Sequence, residues 1–288
     1  MKAFLTGGNG FVGTNLSRFL IESGHKVFAL VRNASKATGL PKQVSVVLGD
    51  PSKPGKWQED LLNYDLFINL AGANIFRRWD DTYKKLLRDS RIYVTRNLVE
   101  AMPPAATLLS TSAVGYYGMT ADEELDESSK PGSDFLAQLA VDWEAEAMKA
   151  VSKGVRVVTT RFGVVLGRDG GALTQMIRPF KLFVGGPIGN GLQWTSWIHI
   201  NDLCRAALFA AENSDLQGPL NFCSPLPIRN RDLAKEIGKI LGRPYFMPAP
   251  SFMINLVLGE FGSVILKGQK VLPKKLLEHG FLFNFPSI

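Results

Sequence analysis

Residues Thr6 to Gly13 read TGGNGFVG, directly after the apolar run KAFL and at the head of the amphipathic stretch FVGTNLSRFLIESG. Gly7, Gly10 and Gly13 recur at every third position. Spaced glycines alone are a weak signal. Placed after a strand, opening a helix, in the first strand–helix–strand unit, they become a specific one. Glycine there permits a tight turn and close approach of backbone to a pyrophosphate. The free N–H groups and the dipole of the helix then face the anion. Thr6, Gly7, Gly10, Phe11, Val12 and Gly13 are therefore the expected cofactor contacts at this end. A plain glycine turn without a ligand is the competing reading.

Outward from this motif, apolar runs alternate with amphipathic stretches. KVFALV, VSVVLG, DLFINLAG, ATLLSTS and GVRVVTTRFGVVLG read as strands, and Asp80 to Ala101 as a long helix. Strands alternating with helices predict an α/β fold, a Rossmann-type doubly wound parallel sheet. After Gly167 the rhythm changes, with a glycine-rich loop GGPIGNGLQW. WIHINDLCRAALFAAE then reads as a short strand and a helix, capped by Asn201 or Asp202. GPLNFCS is a further strand. The expected division is a dinucleotide-binding domain over 1–165, receiving also roughly 201–223. Most of 166–288 then forms a smaller substrate lobe.

The end of the second strand bears on which dinucleotide is bound. An acidic group for the ribose hydroxyls usually stands about 20 residues past the glycines. Here the sequence is VRNASK, with Arg32 at that place and no acid before Lys36. A guanidinium forms paired hydrogen bonds to phosphate, so Arg32 favours the 2′-phosphate of NADP(H). A surface arginine stacked on adenine, indifferent to the cofactor, is the alternative. Asp50 either accepts from the adenine amino group or caps the turn at Pro51. Leu70, Ala71 and Gly72 would bring backbone past the cofactor at the fourth strand.

Composition narrows the function classes. Lys and Arg outnumber Asp and Glu by 33 to 26, a net charge of +7 that suits an anionic ligand. The densest basic stretch, Arg77 to Arg96, is interrupted by aspartates and carries no nucleic-acid motif. Most of its charges read as a solvated helix face; Arg77 and Arg91 stand apart. No apolar stretch is long enough to span a membrane, and MKAFLTGGNG does not read as a signal peptide. Two cysteines, Cys204 and Cys223, make neither a metal site nor a disulfide framework. A small-molecule substrate, a cytoplasmic location and a monomer or homodimer are expected.

TGGNGFVG, NLAG, STSAVGYYG, TTRFGVVLG, WIHINDL and GPLNFCS occur in that order, and the chain resembles the extended short-chain dehydrogenase/reductase superfamily over nearly its whole length. More narrowly, LAGANIFRRW, DSR, DFLAQLAVDWEAEA, GVVLGRDGGAL and the tail GQKVLPKKLLEHGFLFNFP are similar to an atypical NAD(P)-dependent epimerase/dehydratase group. That group includes the YfcH-type proteins and ends in a C-terminal domain of unknown function. Some members have been labelled cell-division inhibitors. The resemblance implies a Rossmann-type lobe and a substrate lobe, without naming a substrate.

The superfamily uses a Tyr-x-x-x-Lys pair in which tyrosine moves the proton and lysine lowers its pKa. Phe135 and Leu139 occupy those positions here, and no tyrosine in the chain is followed four residues later by lysine. The polar groups that remain are Ser112, with Ser110 and Thr111 as rivals for orienting a substrate carbonyl, and Tyr116 or Tyr117 as replacement proton donor. Both tyrosines packed under their loop is the structural alternative. His199 reads as a joint between lobes or as an acid–base group. Arg77, Arg161 and Arg178 are candidates for an anionic group, Arg161 for the cofactor. Leu136, Leu139, Ala140 and Trp143 form a stripe that serves either a partner helix or the core. The expected activity is that of an NADP(H)-dependent oxidoreductase or epimerase-like enzyme on a small carbonyl or sugar nucleotide. The rival is a catalytically silent cofactor-sensing or partner-binding regulator.

Overall fold

The computed structural model describes residues 1–168 and 170–288. Seven parallel strands form the central sheet: β1 (Lys2–Thr6), β2 (Lys26–Val31), β3 (Ser45–Leu48), β4 (Leu66–Asn69), β5 (Thr107–Ala113), β6 (Arg156–Phe162) and β7 (Gly218–Phe222). Their order is β7-β6-β5-β4-β1-β2-β3. The reversal beside β1 puts a crevice at the carboxyl ends of β1 and β4, where ligands of such sheets bind. The register agrees: Thr6 lies opposite Asn69 on one side and Leu30 on the other.

Helices cover both faces. On one side are α1 (Phe11–Glu22) and α5 (Ile200–Glu212); on the other are α2 (Asp81–Ala101) and α3 (Phe135–Met148). Because both faces are covered, β1 reads as an unbroken apolar run, and Ala3, Phe4 and Leu5 are fully buried. Phe4 packs with Trp57, Tyr64 and Phe67, while Ala3 and Leu5 pack with Leu16 and Leu20 of α1. α2 and α3 start at Asp80 and Asp134, whose carboxylates accept from the Tyr83 and Ala137 amides. The stripe on α3 is spent within the chain: Leu139, Ala140 and Trp143 are buried.

The run GVRVVTTRFGVVLG does not continue as one strand. It leaves the sheet at Gly163, where a Cβ would lie 2.7 Å from the Ser196 carbonyl oxygen. Val164–Gly167 then pairs in parallel with Trp197–His199. Neither Asn201 nor Asp202 caps α5. The cap is His199, whose Nδ1 accepts from the Asn201 amide at 3.2 Å. Asp202 lies one turn inside and is fully buried. Its carboxylate accepts from the Asn284 and Phe285 amides and from Arg205.

The remaining helices are α4 (Gly171–Lys181), α6 (Asn230–Leu241), α7 (Ser251–Leu258), α8 (Glu260–Ile265) and α9 (Lys274–Glu278). The glycine-rich loop is tied to the stretch before α7: Ala249 donates to the Pro187 carbonyl and Gly189 to that of Ala249. No helix among the described residues is long and apolar enough to cross a membrane.

Candidate functional site

The turn between β1 and α1 is a cradle made by the lack of side chains. Gly7 has φ +67°, and a Cβ on it would lie 2.8 Å from the Ala71 amide nitrogen and the Leu70 carbonyl carbon. A Cβ on Gly13 would lie 2.5 Å from the Gly7 carbonyl oxygen. The cradle thus presses the first loop against Leu70 and Ala71, and Gly10 and Gly72 face the open side. No side chain caps α1, whose N-cap residue is Gly10. Its first-turn N–H groups are therefore available to an anion, unlike those of α2 and α3. Phe11 lies against Gly167, Gly170 and Gly171, and Val12 packs on the core. The Thr6 hydroxyl is spent inside, donating to Asn69 Oδ1 at 2.6 Å. These features fit a dinucleotide: backbone can approach closely, and α1 offers donors.

Arg32 stands one residue past β2 and is exposed. Asp50 accepts from the Ser52 amide and hydroxyl, so it makes the turn cap that was one of its two readings. Burial works to raise its pKa, but the Ser52 hydrogen bonds and the nearby Arg32 charge hold it below the usual value.

At the β5 edge the polar groups meet one another. Ser112 lies opposite Arg161 in the β5–β6 register. Its Oγ donates to Glu144 of α3 at 2.6 Å. Arg161 clasps the same carboxylate through Nε and Nη2, both at 2.8 Å. Its Nη1 donates to the Tyr117 hydroxyl at 2.9 Å, and that hydroxyl donates to Asn221 Oδ1 on β7 at 2.7 Å. Tyr117 is 1% exposed and Arg161 3%. Burial pushes the Tyr117 phenol far above its ordinary value despite the adjacent guanidinium. The Glu144 bonds outweigh burial and hold the Arg161 pKa up. Glu144 and Asn221 were not singled out in the sequence. Glu144 lies nine residues past Phe135, among several carboxylates of that helix, and the packing of α3 on β5 and β6 brings it to Ser112.

Tyr116 differs from Tyr117. Its ring lies under the Arg161 guanidinium, 3.5 Å from centroid to carbon. It is partly exposed, and its hydroxyl has no hydrogen-bond partner among the described residues. Ser110 and Thr111 have buried hydroxyls, likewise without partners there. Phe135 packs edge-on against Trp79, and Leu139 lies with Trp79, Leu87 and Phe261. Beside Phe135 opens a recess of about 100 Å³, lined by Trp79, Met119, Leu136 and Val264 with Glu260 and Lys267.

Other candidates fall outside this constellation. Arg77 lies over the Tyr83 ring, and Arg178 is exposed on α4. Trp194 donates to Asp122 beneath Arg229, and Trp197 donates to the Leu226 carbonyl. Burial lowers the His199 pKa, with Asp202 opposing. Both cysteines are buried, and burial pushes Cys204 up to about 12. No cluster of metal-ligating side chains occurs among the described residues.

The model of the NAD dependent epimerase/dehydratase family matches residues 3–222. The chain belongs to that family. A second match, to a domain of unknown function, covers residues 249–288 of this epimerase-family chain. It is 40% identical to the Arabidopsis thaliana "Epimerase family protein SDR39U1 homolog, chloroplastic", across 100% of this chain and 84% of that one. It is 37% identical to the Bacillus subtilis "Epimerase family protein YfhF", across 100% and 95%. Among solved structures it is similar to the human epimerase family protein SDR39U1 crystallised with NADPH. That match has a TM-score of 0.87 and 35% identity, and covers 100% of this chain and 96% of the human one.

Proposed function

We propose that this chain binds NADP(H) in the Gly7–Gly13 cradle and acts as an atypical oxidoreductase or epimerase-like enzyme on a small carbonyl or sugar-nucleotide substrate. The observation that carries the reading is the cradle itself. Two glycines have no room for a Cβ, and α1 begins without a side-chain cap. The human relative crystallised with NADPH supports the choice of dinucleotide. Arg32 is assigned the 2′-phosphate. Residues 1–165, joined by α5 and β7, carry the cofactor, and most of 166–288 completes the substrate side.

When bound, the nicotinamide supplies or accepts hydride. The chain's own residues orient the substrate and handle the proton. Phe135 and Leu139 have no exchangeable proton and pack in an apolar cluster, so the proton is handled elsewhere. Tyr117 and Arg161 are assigned to holding the floor, because their polar atoms are engaged below the surface. Tyr116 is the phenol left to meet a substrate, with Ser112 and Glu144 fixing the strand end behind it. The recess beside Phe135, about 100 Å³ with Glu260 and Lys267 in its lining, has room for a small group of the substrate.

The rival reading is a cofactor-holding regulator without turnover, and the closed hydrogen bonding of Ser112, Glu144, Arg161 and Tyr117 favours it. Calorimetric titration with NADPH and NADH, then a screen of carbonyl compounds and sugar nucleotides, tests both. NADPH binding much tighter than NADH is expected. Turnover that vanishes in Tyr116→Phe but not in Tyr117→Phe would establish the enzyme. No binding of either dinucleotide would end the cofactor reading.

A further inference from the structure

Arg91 is a cation without a carboxylate partner among the described residues. It lies on α2, facing the loop that follows β4. Its guanidinium carbon lies 3.1 Å from where a Cβ on Gly72 would sit. Nη2 donates to the Ala73 carbonyl at 3.1 Å and Nη1 to the Leu87 carbonyl at 3.0 Å. The plane stands 5.1 Å from the Trp143 ring centroid. Burial lowers its pKa to about 10, opposed by Tyr83. A guanidinium has five N–H donors, and two backbone bonds leave donors over.

Other arginines on this face are compensated. Arg88 pairs with Asp142, Arg96 with Glu146 and Arg161 with Glu144. Arg156 has no carboxylate, but it closes the carboxyl end of α5. It donates to the carbonyls of Ala210, Ala211, Asn213 and Leu216, where a helix dipole welcomes positive charge. Arg91 has no such helix end. It sits instead at the carboxyl edge of the sheet, next to the loop that touches the cradle: Gly7 packs on Leu70 and Ala71, and Gly72 follows. Across that edge α3 presents the uncharged Phe135, Leu139 and Trp143, while its Glu144 is engaged by Arg161 and Ser112.

We propose that Arg91 is a cofactor-holding residue, donating to ribose or phosphate oxygens on the nicotinamide half of the dinucleotide. The inference rests on the cofactor reading above and adds to it a second cationic anchor, opposite Arg32. An anion at Gly72 gives the Arg91 charge the partner that the protein does not supply.

Binding to the purified full chain tests it without any assay of activity. The probes are NADPH and 2′,5′-ADP, which keeps the adenine half and lacks the nicotinamide riboside. Arg91→Met is expected to weaken NADPH at least tenfold while leaving 2′,5′-ADP within twofold. Arg91→Lys is expected to recover part of the loss. The melting temperature of Arg91→Met without ligand should equal or exceed that of the unmodified protein, because a poorly compensated charge has been removed. The NADPH-induced rise in melting temperature should shrink. NADPH affinity within twofold in Arg91→Met overturns the inference and leaves the cofactor reading standing. So does equal loss of both ligands with a fall in the ligand-free melting temperature, which marks a structural residue. Failure of the unmodified protein to bind either probe overturns the cofactor reading and this inference together.

Discussion

The two halves of the sheet's carboxyl edge are built on opposite principles. At β1–α1 the site is an absence: glycines leave space, Thr6 turns its hydroxyl inward, and the α1 amides are uncapped. At β5–α3 the site is crowded with polar side chains, and Ser112, Glu144, Arg161, Tyr117 and Asn221 satisfy one another. Backbone donors can remain open to a ligand because water satisfies them meanwhile. Buried side-chain charge is costly to leave unpaired, and at this edge Arg161 and Glu144 pair with each other in the ligand-free protein. The first half is therefore poised to bind, and the second is rigid before anything binds.

The sharpest way to break this contrast is Glu144→Gln. It strands the Arg161 charge in the interior, and removing one partner of a buried pair costs about 3–5 kcal/mol. Urea denaturation should show a loss of that size. A change under 1 kcal/mol would mean that the β5 edge is looser than its hydrogen bonds indicate. Gly13→Ala comes next. Its Cβ would collide with the Gly7 carbonyl, so overpacking of about 1–3 kcal/mol is expected, together with NADPH affinity at least tenfold weaker by calorimetry. Unchanged affinity would remove the cradle from the binding site.

Arg32→Ala sharpens the contrast within the cofactor half. A charge-assisted bond contributes about 1.5–3 kcal/mol, and solvent exposure places Arg32 near the lower end. NADPH should lose about tenfold against NADH, with stability unchanged. The smallest effect is at His199. Burial holds its pKa below the ordinary 6.5, so the unfolded chain takes up the proton first as pH falls. The contribution of His199 is intact above 6.5 and declines as pH drops through that value toward the lower folded one. Protonation at Nδ1 also removes the acceptor for the Asn201 amide. Melting curves from pH 7.5 to 5 should show a small loss that His199→Gln lacks.

The cradle was legible because its signal is local. Glycine spacing, a preceding strand and a following helix lie within 20 residues, and the parallel sheet follows from the alternation of elements. The β5 edge was legible only in part. Ser112, Tyr117 and Arg161 stood out by residue type, but their partners are set by long-range packing: Ser112 reaches Glu144 over 32 positions, and Tyr117 reaches Asn221 over 104. The break at Gly163 was hidden because VVLG continues the apolar pattern of a strand. The reason for the break is a close approach of Ser196, distant in sequence. His199 as a cap escaped for a chemical reason. Imidazole is a rare acceptor there, and Asn201 and Asp202 are commoner caps.

The buried Asp202 carboxylate has a consequence for how the protein is made. Two of its hydrogen bonds come from the Asn284 and Phe285 amides, and its partner Arg205 also donates to the Leu282 carbonyl. α5, which packs on α1 over the sheet, therefore holds a charge that residues 282–285 must satisfy. A nascent chain stalled on the ribosome short of Phe285 would carry that carboxylate incompletely bonded, beneath a sheet whose strands had all been synthesised. The cradle emerges first, but the layer behind it is sealed by residues that emerge more than two hundred positions later.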